Sequence, residues 1–223
     1  MTRIALFSDV HIGHWRKYIS SKDIVKQLKD QCKDADLIIN AGDSEFKKFK
    51  WAKPYIEVKG NHDYYGNDWE DLDWSWDKDR LILASTLWTN FGEDPLSEWD
   101  ATRCINDFRL IKGEMIDKKM KEHYYTTCGY IDEFKPEIMV THFAPVLQAI
   151  HPRYYNSTVN RYFVNDMQHV IDRNPQIKYW FFGHVHDNWD FQINNCRFIA
   201  HPCGYPNENY SRFEDYSPLI IEI

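Results

Sequence analysis

The chain has no Cys-x-x-Cys pair, and its five cysteines, Cys32, Cys104, Cys128, Cys196 and Cys203, are odd in number and widely spaced. That argues against a thiolate zinc site or a disulfide framework and predicts a reducing, cytoplasmic setting. No apolar run approaches the length of a membrane span, and the apolar stretch before Asp9 is too short for a signal-peptide core, so a soluble chain without a membrane partner is expected. Positive charge is in deficit: 27 Lys and Arg stand against 34 Asp and Glu, a formal net charge of −7. A broad surface for duplex nucleic acid is therefore not expected. Repeats, linkers and low-complexity tracts are also missing.

Aromatic residues, by contrast, are plentiful. They make up 16% of the chain, with nine Trp, and the hydrophobic fraction is 43%. That is ample apolar material for one compact domain over residues 1–223. The composition leaves the oligomeric state open.

Several short runs rich in Ile, Val and Phe end abruptly in polar, metal-capable residues. Ile4 to Phe7 precedes Ser8-Asp9, Leu37 to Ile39 precedes Gly42-Asp43, and Tyr55 to Val58 precedes Gly60-Asn61. In the second half, Ile138 to Val140 precedes Thr141-His142, and Tyr179 to Phe182 precedes Gly183-His184. Runs apolar at every position predict strands buried on both faces of an α/β or αββα core, with the chemistry in the loops at their ends. Ser21 to Lys33 reads as an amphipathic helix with Ser20 or Ser21 as N-cap. A weaker helix is read over Asp117 to Tyr125, and another over Val164 to Arg173. Trp189 to Ile193, Arg197 to His201 and Leu219 to Ile223 read as strands of a second, more antiparallel sheet. Tyr64 to Asp79 is dense in acidic residues and holds Trp69, Trp74 and Trp76. It reads as a surface loop with its aromatics turned back onto the core, with a substrate lid as the alternative.

Asp9-Val10-His11, Gly42-Asp43, Gly60-Asn61-His62-Asp63, Thr141-His142 and Gly183-His184-Val185-His186 are each weak signals alone. In this order, each closing a separate apolar run, they resemble the motifs of the calcineurin-like metallophosphoesterase superfamily over residues 4 to 186. The resemblance implies a four-layer αββα sandwich of two mixed sheets flanked by helices. It also implies a binuclear centre with Asp9, His11 and His186 on one ion, Asn61, His142 and His184 on the other, and Asp43 bridging. His62 would approach the leaving-group oxygen as general acid, and Asp63 would orient it.

The donor chemistry is compatible with this. Imidazoles, carboxylates and an amide carbonyl suit Mn, Fe, Zn or Co better than Mg or Ca, and two Mn ions are the expected cofactors. Such a pair acidifies a bridging water to give hydroxide and clamps the phosphoryl oxygens. Bound cations would also offset the acidity of the chain toward an anionic substrate.

Outside the metal motifs, Ser85-Thr86-Leu87-Trp88-Thr89, Asn106-Asp107-Phe108-Arg109 and the tail His201 to Asn209 resemble a subgroup of small bacterial and phage phosphoesterases. His201 stands where that subgroup has Asn, a difference that bears on specificity if the position meets substrate. Trp88, Arg109 and Tyr205 are read as substrate contacts, or else as two packing aromatics and an arginine paired with an acidic neighbour. The expected activity is hydrolysis of a small phosphodiester, with nucleotides among the candidates. A phosphomonoesterase or phosphoprotein phosphatase is the alternative, weakened because Gly42-Asp43-Ser44-Glu45-Phe46 lacks the arginine of the phosphatase motif. A nuclease would need a basic groove, and a non-catalytic scaffold would be expected to have lost ligands.

Overall fold

Local alternation decides which way each strand faces, and two sheets result. The computed structural model describes residues 1–46, 49–66 and 74–223. The first sheet holds β1 (Arg3–Phe7), β2 (Leu37–Asn40) and β3 (Tyr55–Glu57), all parallel, with β10 (Leu219–Glu222) antiparallel on β1. The second has the order β4-β5-β6-β7-β9-β8. Its members are β4 (Trp74–Asp77), β5 (Ile82–Ser85), β6 (Ile138–Thr141), β7 (Tyr179–Phe182), β8 (Trp189–Ile193) and β9 (Cys196–Ala200). Strands β5, β6, β7 and β9 are parallel, while β4 and β8 close the two edges antiparallel.

Successive side chains of a strand point to opposite faces. Thus Ile4 and Leu6 pack with Ile39, Val140, Phe181 and Ile199 between the sheets. Ala5 and Phe7 turn outward to Ile24 and Leu28 of helix α2 (Ser21–Gln31). On the far side, Leu83, Met139, Trp180 and Phe182 meet Tyr124 and Ile131 of α5 (Ile116–Phe134) and Val170 and Ile171 of α7 (Gln168–Arg173). The layers are therefore helix, sheet, sheet, helix, with the shorter helices α1 (Ile12–Trp15), α3 (Pro95–Cys104), α4 (Asp107–Leu110) and α6 (Asn160–Phe163) in the connections.

Helix α2 starts where the sequence places its cap: Ser20 Oγ accepts the Asp23 N–H at 3.2 Å and donates to Asp23 Oδ2 at 2.6 Å. Ser20→Ala is expected to lower stability by about 1 kcal/mol. Thermal unfolding should register it as a fall of roughly 2–4 °C in Tm.

The structure corrects several expectations. The helix read weakly over Asp117 to Tyr125 extends from Ile116 to Phe134. Its buried stripe, Ile116, Met120, His123, Tyr124, Thr127, Cys128 and Ile131, keeps helical spacing. His123 and Thr127 occupy stripe positions there, which blurs the apolar period. The helix read from Val164 begins only at Gln168, because Val164 is drawn into an extended bridge with Ala144. The C-terminal strands do not build a sheet of their own: β8 and β9 extend the second sheet and β10 edges the first. Strand β3 lies at a sheet edge and is half-exposed, not buried on both faces. Part of the Trp-rich segment is strand β4, where Trp74 lies 4.4 Å from Tyr130 and Trp76 stacks on Phe134 at 5.3 Å. Trp69 and the rest of 67–73 lie outside the described residues.

Candidate metal centre

The C-terminal ends of β1, β2, β3, β6 and β7 deliver the candidate ligands, and backbone bonds hold the loops that follow them in register. Asp9 N–H donates to the Gly42 carbonyl (2.9 Å), His11 N–H to the Asp43 carbonyl (2.9 Å), and Gly183 N–H to the His142 carbonyl (3.0 Å). Asp9, His11, Asp43, His184 and His186 all have φ between 44° and 69°. Left-handed backbone outside glycine costs roughly 1–3 kcal/mol per residue and gathers at functional sites. Here it turns five side chains inward within short loops. Gly60 has its own reason to be glycine: a Cβ there would sit 1.8 Å from Asp43 Oδ1.

Asp9, His11 and His186 converge so that one ligand atom from each lies within 4.8 Å of the others. The His11 and His186 Nε2 atoms are 3.1 Å apart, and Asp9 Oδ1 is 3.5 Å from His186 Nε2. Beside them, His142 Nε2 lies 3.1 Å from Asn61 Oδ1 and 3.3 Å from Asp43 Oδ2. His142 Nδ1 is fixed by the Ala41 carbonyl at 2.8 Å. His184 closes this side, its ring packed on Phe143 (4.1 Å) and stacked on Phe163 (5.1 Å), and its N–H bonded to both Asp9 oxygens at 3.1 Å. Asp43 spans the two halves: Asp9, Asp43 and His142 form one close group, and His11, Asp43 and His62 another.

All seven candidate ligands are largely or wholly buried, and such a set is electrostatically tense. Burial pushes His11 down to about 3 and His184 well below the usual imidazole range, so these two rings stay neutral. Burial also acts against protonated His142 and His186, but the carboxylates of Asp43 and of Asp9 and Glu208 outweigh it and raise both. Burial opposes ionised Asp9 and Asp43 in turn, and the surrounding imidazoles more than compensate, holding both carboxyls low. His11 Nδ1 and His184 Nε2 are buried without a hydrogen-bond partner. Buried, lone-pair-bearing nitrogens beside two carboxylates are what divalent cations of intermediate softness would satisfy. The residues fit the two ions that the resemblance implies.

His62 lies beside this group. Its N–H donates to Asp43 Oδ1 (3.1 Å), its ring packs on Tyr65 (4.5 Å), and its Nε2 lies 3.1 Å from the Tyr205 hydroxyl. Asp63 accepts the Gly60 N–H at 3.1 Å and so caps the short helical turn Asn61–Tyr64. A cleft of about 440 Å³ opens over Asp43, Asn61, His62, His184, His186 and Tyr205.

Of the three residues offered as substrate contacts, only Tyr205 reaches this cleft, stacked on His11 at 4.5 Å. Trp88 is fully buried against Tyr64 and Phe143, on the packing side of the alternative. Arg109 donates to the Arg103 carbonyl at the end of α3 (Pro95–Cys104), at 2.9 Å, and does not line the cleft. His201 is likewise turned away, bonded to the Ser217 carbonyl and stacked on Tyr216.

Two carboxylates escaped the sequence reading. Asp107, opening the short helix α4 (Asp107–Leu110), accepts from Asn61 Nδ2 (3.1 Å), from Tyr65 and from Tyr162. Burial raises its carboxyl, against the pull of those three donors. An acceptor there fixes the Asn61 amide so that Oδ1 faces His142. Glu208 Oε2 lies 2.7 Å from His186 Nδ1. Both residues sit in segments singled out by the subgroup resemblance, which was the signal that could have found them.

A family model described as calcineurin-like phosphoesterase matches residues 2–188. No curated protein matches the chain. Among solved structures, phosphopantetheinyl hydrolase (PptH) from Mycobacterium tuberculosis is 15% identical over 92% of this chain and 90% of its own, with a TM-score of 0.64. A conserved uncharacterized protein from Streptococcus pneumoniae, a predicted phosphoesterase, is 13% identical over 92% of this chain and 72% of its own, with a TM-score of 0.35. GAP50, the anchor in the inner membrane complex of Plasmodium, is 12% identical over 91% of this chain and 71% of its own, with a TM-score of 0.45. At these identities the first likeness shows a shared fold.

Proposed function

Because this chain belongs to the calcineurin-like phosphoesterase family, a family of metal-dependent phosphoric ester hydrolases, we propose that it is a two-metal phosphodiesterase for small substrates such as nucleotides. The carrying observation is the convergence of Asp9, His11 and His186 beside Asp43, Asn61 and His142, with His62 at the edge of the same cleft. In this reading Asp9, His11 and His186 would hold one cation, Asn61, His142 and His184 the other, and Asp43 would serve both. When bound, two ions such as Mn supply positive charge for the phosphoryl oxygens and an acidified water. His62 gives a proton to the leaving-group oxygen, Asp63 holds the turn that carries it, and Tyr205 lines the path of the ester group.

Diester preference follows from charge. A monoester dianion calls for cationic clamps beyond the metals, and among the described residues lining the cleft Arg153 is the one Arg or Lys. It is already paired with Asp187 at 2.7 Å. No described helix is long and apolar enough to cross a membrane.

The test is hydrolysis of bis-p-nitrophenyl phosphate beside p-nitrophenyl phosphate in Mn, with and without EDTA. Faster cleavage of the diester, lost in EDTA, is the expected result. Faster cleavage of the monoester would overturn the diester preference. Bound metal with neither ester cleaved would favour a scaffold.

A further inference from the structure

The family match ends at residue 188, yet the segment 203–209 touches both ends of the first ligand set. Cys203 N–H donates to the Ser8 carbonyl (3.0 Å) and Gly204 N–H to the Asp9 carbonyl (2.9 Å), sewing the segment to the Asp9 loop. Asn209 Nδ2 donates to the His186 carbonyl at 2.8 Å. Glu208 Oε2 then meets His186 Nδ1 at 2.7 Å and accepts the Tyr205 N–H at 2.8 Å. The close approach depends on Gly204, with φ of 77°, where a Cβ would stand 2.9 Å from that same oxygen.

Building on the two-metal reading above, we propose that Glu208 is the positioning residue of His186 and thereby sets the affinity of the first cation site. An ionised carboxylate only accepts hydrogen bonds, so it keeps the proton of a metal-holding His186 on Nδ1. The Nε2 lone pair is left facing Asp9 and His11. The same oxygen anchors the backbone of Tyr205, whose ring covers His11, so ligand orientation and the aromatic cover are fixed by one atom. A carboxylate behind a metal-binding histidine typically governs metal affinity by 10–100-fold.

The test is calorimetric Mn binding to the chelator-stripped full chain, which needs no turnover. Wild type should bind two ions. Glu208→Leu should weaken one of the two by about 10–100-fold and leave the other in place. Glu208→Asp keeps the charge but withdraws the oxygen by one methylene, and it should fall with the Leu variant. Glu208→Gln, whose amide oxygen can accept both N–H groups, should stay much closer to wild type. The proposal fails if Glu208→Leu binds both ions as wild type does, or if Glu208→Asp keeps full affinity while Glu208→Gln loses it. Should Glu208→Leu not fold, the Asp and Gln variants decide alone. Fewer than two ions on wild type would instead overturn the two-metal reading itself.

Discussion

Asp43→Asn is expected to strip metal and activity together. Asp43 forms one close group with Asp9 and His142 and another with His11 and His62, and its Oδ2 lies 3.3 Å from His142 Nε2, so the carboxylate sits between the two ligand sets. Two like-charged ions held close together need a negative group between them, and an amide supplies none. The amide NH₂ would also point a donor at either His62 N–H or His142, where an acceptor now stands. Losing a partner behind a ligand costs roughly 10–100-fold in metal affinity, and losing the shared ligand should exceed that. Metal content by elemental analysis and Mn-dependent cleavage of bis-p-nitrophenyl phosphate should both collapse. Full activity with retained metal would end the two-metal model.

His62→Ala should behave in the opposite way toward metal and still be severe. His62 is absent from the proposed ligand sets, and its main-chain bond to Asp43 survives the substitution, so both ions should remain. What is lost is the ring at the cleft, held by Tyr65 on one side and the Tyr205 hydroxyl on the other. General acid catalysis contributes about 10²–10⁴-fold where the leaving group is a poor one. An alkyl phosphodiester should therefore slow by about that factor, while a p-nitrophenyl ester, whose leaving group needs little protonation, should slow far less. Steady-state rates across a series of leaving groups will show it. Equal slowing of good and poor leaving groups would count against an acid at this position.

How much of this was legible beforehand differs from element to element. Strands β1, β2, β6 and β7 could be read because their apolar runs are continuous and stop at polar residues, a local signal. Strand β4 escapes a pattern reading because Trp74-Ser75-Trp76-Asp77 is short and follows an acid-rich stretch, and β5 because Ile82-Leu83-Ala84-Ser85 carries no ligand after it. Helix α5 reads too short in the sequence because its inward stripe includes His123 and Thr127, polar by type yet buried in fact. Of the residues offered as substrate contacts, Trp88 and Arg109 stand in segments singled out by resemblance, and a resemblance between segments does not say which way a side chain turns. Asp107 and Glu208 were passed over for the same reason.

By itself, the sequence determined that buried strands alternate with helices and where each candidate ligand stands relative to its strand, because both follow from short-range pattern, an apolar run, a turn residue and a donor; the four-layer arrangement came from the resemblance of the ordered motifs. The tertiary structure alone decided which donors face one another and what holds them. Asn61 meets Asp107 across 46 residues and His186 meets Glu208 across 22. Contacts at that separation are set by how two sheets and the loops at their ends pack, a property of the folded chain that no local period encodes.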